Sequence, residues 1–103
     1  MSRSYVPAKL RDNVRQPEDG QHILLMINHY WGKGANLDAA VRELRIASNG
    51  EYRSSYHVVA YHCHPDTTVD NIFGGIISPK GHPPIKVAAV NKPLGKARVT
   101  EVY

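Results

Sequence analysis

The chain has 103 residues, 42% hydrophobic and 21% charged, with a formal net charge of +4, which fits one modest globular domain and excludes a multidomain reading. Its single cysteine, Cys63, rules out an intramolecular disulfide and fits a reducing cytoplasm. No apolar run approaches the ~18 residues of a membrane span, and Met1 to Leu10 lacks the apolar core of a signal peptide, so a soluble, cytoplasmic protein with no membrane partner is expected.

Residues 1–20 hold Pro7, Pro17 and Gly20 among apolar residues (Tyr5, Val6, Leu10, Val14) that follow neither a strand nor a sustained helical period. They predict an extended N-terminal arm, closed by a turn at Asp19-Gly20. Residues 21–90 read as a single α+β domain. It opens with the run His22 to Trp31, in which Ile23 to Ile27 is apolar on both faces and too short for a helix. That pattern predicts a strand covered on both sides or central in a sheet. Gly32-Lys33-Gly34 is expected to break the strand. Asn36 then offers a capping side chain to a helix over Leu37 to Ser48, whose Leu37, Ala40, Val41, Leu44, Ala47 and Ser48 recur at helical spacing. Asn49-Gly50 supplies a left-handed residue to end it.

Glu51 to His64 carries Tyr52, Tyr56, Val58, Val59 and Tyr61 and predicts a second strand, starting near Ser54 and stopped at Pro65. Asp66 to Asn71 reads as a connector and Ile72 to Ile77 as a third strand, with a bulge at Gly74-Gly75. Ser78 to Pro84 is a turn region and Ile85 to Val90 a fourth strand. Residues 91–103 form a basic C-terminal tail or a short edge strand. The order β-α-β-β-β predicts an α+β fold, a mainly antiparallel four-stranded sheet with one amphipathic helix packed on one face. One helix cannot cover both faces. The other face is therefore solvated or covered by a partner, a homodimer included.

Three of the four net positive charges lie outside residues 21–90, so the body is nearly neutral. The basic ends, with Arg3, Arg11, Arg15, Lys92, Lys96 and Arg98, are the candidates for nucleic-acid or anion contacts. A helix followed by three strands resembles the double-stranded-RNA-binding domain, but Ile85 to Tyr103 cannot supply that module's closing lysine-bearing helix.

Six histidines are present, and the densest cluster is His62-Cys63-His64-Pro65-Asp66. Residues two apart on a strand share a side, so His62 and His64 could present two imidazoles to zinc or a similar metal, with Asp66 beyond the turn. The fragment is similar to part of the HxHxDH motif of metallo-β-lactamase-type hydrolases, with Thr67 where the final histidine belongs. It also resembles the HxH of cupins without the flanking glycine and glutamate. The reading preferred here is two hydrogen-bonded histidines on a half-solvated face, with no cofactor; a small metal-dependent hydrolase using His62, His64 and Asp66 is the alternative. Cys63, between apolar neighbours, reads as a small buried hydrophobe. Gly32-Lys33-Gly34 lacks the GxxxxGK[ST] and GxGxxG spacings and reads as a tight strand-to-helix turn. No paired acids or strained nucleophile motif point to catalysis.

The aromatics and bases near the helix, Tyr30, Trp31, Lys33, Tyr52, Arg53 and Tyr56, are the candidate partner-binding residues, because Trp, Tyr and Arg dominate interface energetics. Trp31-Gly-Lys-Gly34 followed by Asn36 to Leu44 between two strands resembles, in architecture, small phage and mobile-element α+β proteins of the anti-CRISPR type. That resemblance carries no functional residue across. It implies a non-catalytic protein that binds a protein or ribonucleoprotein complex, such as an inhibitor of a nucleic-acid-processing or defence complex. Direct nucleic-acid binding through the basic ends is the other alternative.

Overall fold

Ile23 to Ile27 set the centre of the fold. In the computed structural model, which describes residues 8–27, 30–49, 58–70 and 72–90, this run lies in β1 (His22–Ile27). β1 is flanked by β2 (Tyr30–Gly34) and β3 (Val58–Cys63), and β6 (Ile85–Val90) completes an antiparallel sheet in the order β2-β1-β3-β6. Ile23, Leu25 and Ile27 join the core on one face, while Leu24 and Met26 pack on the other. The expected doubly covered central strand is thus observed.

The expected continuation of that strand to Trp31, with a break at Gly32-Lys33-Gly34, is corrected. The chain reverses between Ile27 and Tyr30, which face each other, and both glycines lie inside β2. Their role is close approach. A Cβ on Gly32 would lie 2.4 Å from the Ala40 oxygen and the Leu44 nitrogen, and one on Gly34 would lie 2.5 Å from Ala39 Cβ. Helix α2 (Leu37–Ser48) therefore rests directly on the backbone of β2. Asn36 caps α2 as expected, its Oδ1 accepting from Ala39 N at 2.9 Å. Asn49, at φ 52°, ends it in the left-handed region.

A second correction concerns the N-terminal arm. Ala8–Asn13 form α1, which lies against β6, and Leu10 and Val14 are buried in the helix-side core. Val14 N donates to Leu10 O at 2.9 Å, and Gln16 Oε1 accepts from Leu37 N at 3.0 Å, tying this segment to the start of α2. So short a helix offers too few positions to display a period, and tertiary burial stabilises it rather than propensity. The turn at Asp19-Gly20 is present, with Gly20 at φ 83°.

The third correction lies between β3 and β6. Where a connector and a six-residue strand were expected, β4 (Thr68–Asp70) and β5 (Gly75–Ile77) form a separate two-stranded hairpin. Asp70 Oδ1 accepts from Ile72 N at 2.8 Å, and Gly74 has φ 70°, so Ile72 to Gly74 make a turn instead of extending a strand. The irregularity in the main sheet falls instead between Ala60 and Tyr61, opposite β6.

The fold is α+β with a four-stranded antiparallel sheet, as the sequence predicted, although β2 takes the place expected for residues 72–77. α2 and α1 cover one face. On the other, Val69 and Ile76 of the hairpin pack against Leu24 and Cys63. The proposed start of β3 near Ser54 and the edge strand within 91–103 lie outside the described residues. Among the described residues no helix is long and apolar enough to cross a membrane.

Candidate functional site

Among the described strands β2 is the outermost of the sheet, and every second residue turns its N–H and C=O away from β1. Its side chains divide between two faces. Trp31 lies opposite Met26 and Lys33 opposite Leu24, which places both on the hairpin side; Gly32 lies under α2. Trp31 packs half-buried against the Leu24, Cys63 and Val69 cluster, and Tyr30 packs against the helix-side core. Lys33 Nζ donates to the Pro65 carbonyl, which positions its charge without neutralising it.

A groove of about 630 Å³ follows this outer edge where β2 meets α2. Tyr30, Trp31, Gly32 and Lys33 form its strand side. Ala39, Arg42, Glu43, Ile46 and Ala47 form its helix side. Three of the sequence-derived partner candidates, Tyr30, Trp31 and Lys33, therefore come together. Tyr52, Arg53 and Tyr56 lie outside the described residues. The chain matches no protein-family model, no curated protein and no solved structure.

The helix flank was not singled out from sequence, although one signal was present. Ile46 is apolar but falls off the buried stripe of Leu37, Ala40, Val41, Leu44 and Ser48, and it is 66% exposed. Ala47, assigned to that stripe by its spacing, is also exposed. An apolar residue off the stripe marks a second contact face on the helix.

The histidine cluster is divided. His62 is buried on the helix side, and its Nε2 donates to the Arg15 carbonyl at 3.0 Å. His64 lies beyond the end of β3. Its Nδ1 accepts from Asp66 N at 3.0 Å and stands 3.9 Å from an Asp66 carboxylate oxygen, while its ring centroid lies 4.5 Å from that of His82. The expectation that His62 and His64 share a half-solvated face is thus corrected, because the strand ends at Cys63 and the alternation ends with it. Among the described residues no three His, Cys, Asp or Glu side chains are grouped to hold a metal ion.

Cys63 is buried on the hairpin side, opposite His22. Burial pushes its thiol up, and the charge of Lys33 and a hydrogen bond from Thr67 partly offset that shift. His22 is held below the ordinary histidine value, chiefly by burial and then by Lys33 and His64, and its Nδ1 has no hydrogen-bond partner among the described residues. Of the basic-end candidates, Arg11 is exposed on α1, which lies against β6, and Arg15 is exposed two residues past α1, its carbonyl held by His62 of β3. Arg3, Lys92, Lys96 and Arg98 lie outside the described residues.

Proposed function

We propose that this protein is a non-catalytic interaction module that docks on a partner protein, or on the protein part of a ribonucleoprotein complex, through the flank formed by β2 and α2. The observation carrying the reading is the convergence of Tyr30, Trp31 and Lys33 with Arg42 and Ile46 on one groove beside an outer strand. Aromatics and arginine around an exposed aliphatic anchor form the composition of an interface centre. The positive balance of the whole chain would add association rate more than affinity. Direct nucleic-acid binding gains less support, because Arg11 sits on α1 against β6, the strand at the other end of the sheet from β2, and so away from the groove. A metal-dependent hydrolase gains less still, because His62 is committed to the Arg15 carbonyl.

The test is site-specific photocrosslinking in a lysate of the source organism, with benzoylphenylalanine placed at Ile46 or, as control, at Arg11. A protein captured from position 46 and lost in the Arg42→Glu background is the expected result. Equal labelling from both positions, or nucleic acid as the sole adduct, would overturn the reading.

A further inference from the structure

The β4–β5 hairpin is joined to the rest of the fold at its base, where two connections meet. The turn from His64 to Thr67 leads from β3 into β4, and Ser78 to Pro84 lead from β5 into β6. Thr67 is fully buried and shares a 3.0 Å hydrogen bond with Ser78, while Val69 and Ile76 cover Leu24 and Cys63. Between the two connections the rings of His64 and His82 meet, their centroids 4.5 Å apart and their planes tilted by 48°. We infer that this histidine pair is an acid-sensitive clasp, which holds the hairpin on the sheet at neutral pH and releases it when both imidazoles take up protons.

Hydrogen bonding fixes the state of His64 in the closed form. Its Nδ1 accepts from Asp66 N at 3.0 Å, and a backbone N–H can only donate, so that nitrogen carries no proton. Protonation turns the acceptor into a donor and costs the Asp66 amide its partner. The Asp66 carboxylate, 3.9 Å from the same nitrogen, then draws the charged ring toward itself, within a turn closed by Thr67 N donating to His64 O. The other charges nearby oppose protonation. Lys33 of β2 donates to the Pro65 carbonyl beside His64, Lys80 lies two residues before His82, and Lys86 of β6 is exposed opposite Tyr61. His22 of β1 is disfavoured as a cation by burial first and then by Lys33 and His64, so charge on either histidine opposes charge on the other. Asp70 offsets none of this, because it sits at the far turn of the hairpin, accepting from Ile72 N. Two unit charges 4.5 Å apart repel enough to shift an opening equilibrium about tenfold, and few buried apolar residues hold the hairpin against that shift. Trp31 packs on the cluster that the hairpin covers and also lines the groove, so release would reshape the groove wall.

Cys63, the sole cysteine, is buried beneath the hairpin, so its labelling reads the release directly. The probe is dithiodipyridine, which also reacts with thiols in acid; its rate with the folded protein is divided by its rate with the urea-unfolded chain at the same pH. This ratio is expected to rise about tenfold from about pH 7.5 to about pH 5, the range in which imidazole gains its proton. His64→Asn keeps an oxygen that accepts from the amide two residues on and cannot be protonated, and His82→Phe keeps a ring without charge. Each should cut the rise to about twofold or less, thermal melting confirming that the variants fold. A ratio in the parent protein that does not change with pH would overturn the clasp without need of a variant. An undiminished rise in either variant would overturn it as well. Amide exchange that accelerates in acid as much in β1 as in β4 and β5 would assign the labelling to global unfolding, and the local release would fall with it.

Discussion

The two faces of the central sheet are covered in different ways. On the helix side, Ile23, Leu25, Ile27, Val58, Ala60 and Val90 meet Leu10, Val14, Leu37, Ala40, Val41 and Leu44 in one buried apolar cluster. On the hairpin side the buried apolar cluster among the described residues is Leu24, Cys63 and Val69, with Met26, Trp31, Tyr61 and Ile76 partly open around them. Polar groups rim this second cluster: His22, Lys33 and the 3.0 Å hydrogen bond between Thr67 and Ser78. The hairpin also leaves Ile72 and Phe73 at its tip 84% exposed. The same strands thus carry a dense, insulated layer on one side and a thin, polar-edged layer on the other. Stability should reside mainly in the first, and adaptability in the second and along the outer strand between them.

The sharpest way to break this contrast is to disturb the contact of β2 with α2. Gly32→Ala places a methyl group 2.4 Å from two backbone atoms of α2, which cannot move as a side-chain end could. The helix must lift. A loss of about 3 kcal/mol in urea unfolding is expected, at the upper end of overpacking costs. A loss under about 0.5 kcal/mol would show that α2 is not seated as tightly as the glycine geometry requires.

Thinning the second layer should cost less. Val69→Ala removes two methyl groups from a small cluster, and about 1.5 kcal/mol is expected. Amide hydrogens of β4 and β5 should also exchange faster than those of β1 and β3, because the hairpin is attached by few buried apolar residues. Equal protection of both regions would erase the distinction between the faces.

What was legible in the sequence follows the same division. Ile23 to Ile27 announced a central strand because it is apolar on both faces, and Leu37 to Ser48 announced an amphipathic helix with its cap. The pairing of helix and strand was not legible. Glycine in a strand reads locally as a break, and only the distance from Gly32 to Ala40 and Leu44 reveals that it makes room for a helix. Likewise Asp70 reads as one more polar connector residue until its carboxylate is seen accepting from Ile72, which turns the chain and makes a hairpin. Of the candidate site, Tyr30, Trp31 and Lys33 stood out by residue type. Arg42 and Glu43 did not, since charge on the outer side of a helix is the ordinary condition of a solvated face; Ile46 was the exception that could have marked the flank.

The smallest effect belongs to the polar rim of the hairpin side. His22 sits opposite Cys63, its protonation disfavoured first by burial and then by the nearby Lys33 and His64, and its Nδ1 has no hydrogen-bond partner among the described residues. Its pKa in the fold is lowered, so between that value and the ordinary ~6.5 the unfolded chain binds the proton more readily. This contribution is fully present above ~6.5 and is lost as the pH falls from there toward the folded value. His22→Asn should flatten that part of the stability profile while leaving the neutral-pH melting temperature nearly unchanged. The same substitution should leave the helix-side core untouched, so amide protection in β1 and β3 at neutral pH should match the parent protein. A variant whose acid profile stays superimposable on the parent's would overturn the assignment of that slope to His22.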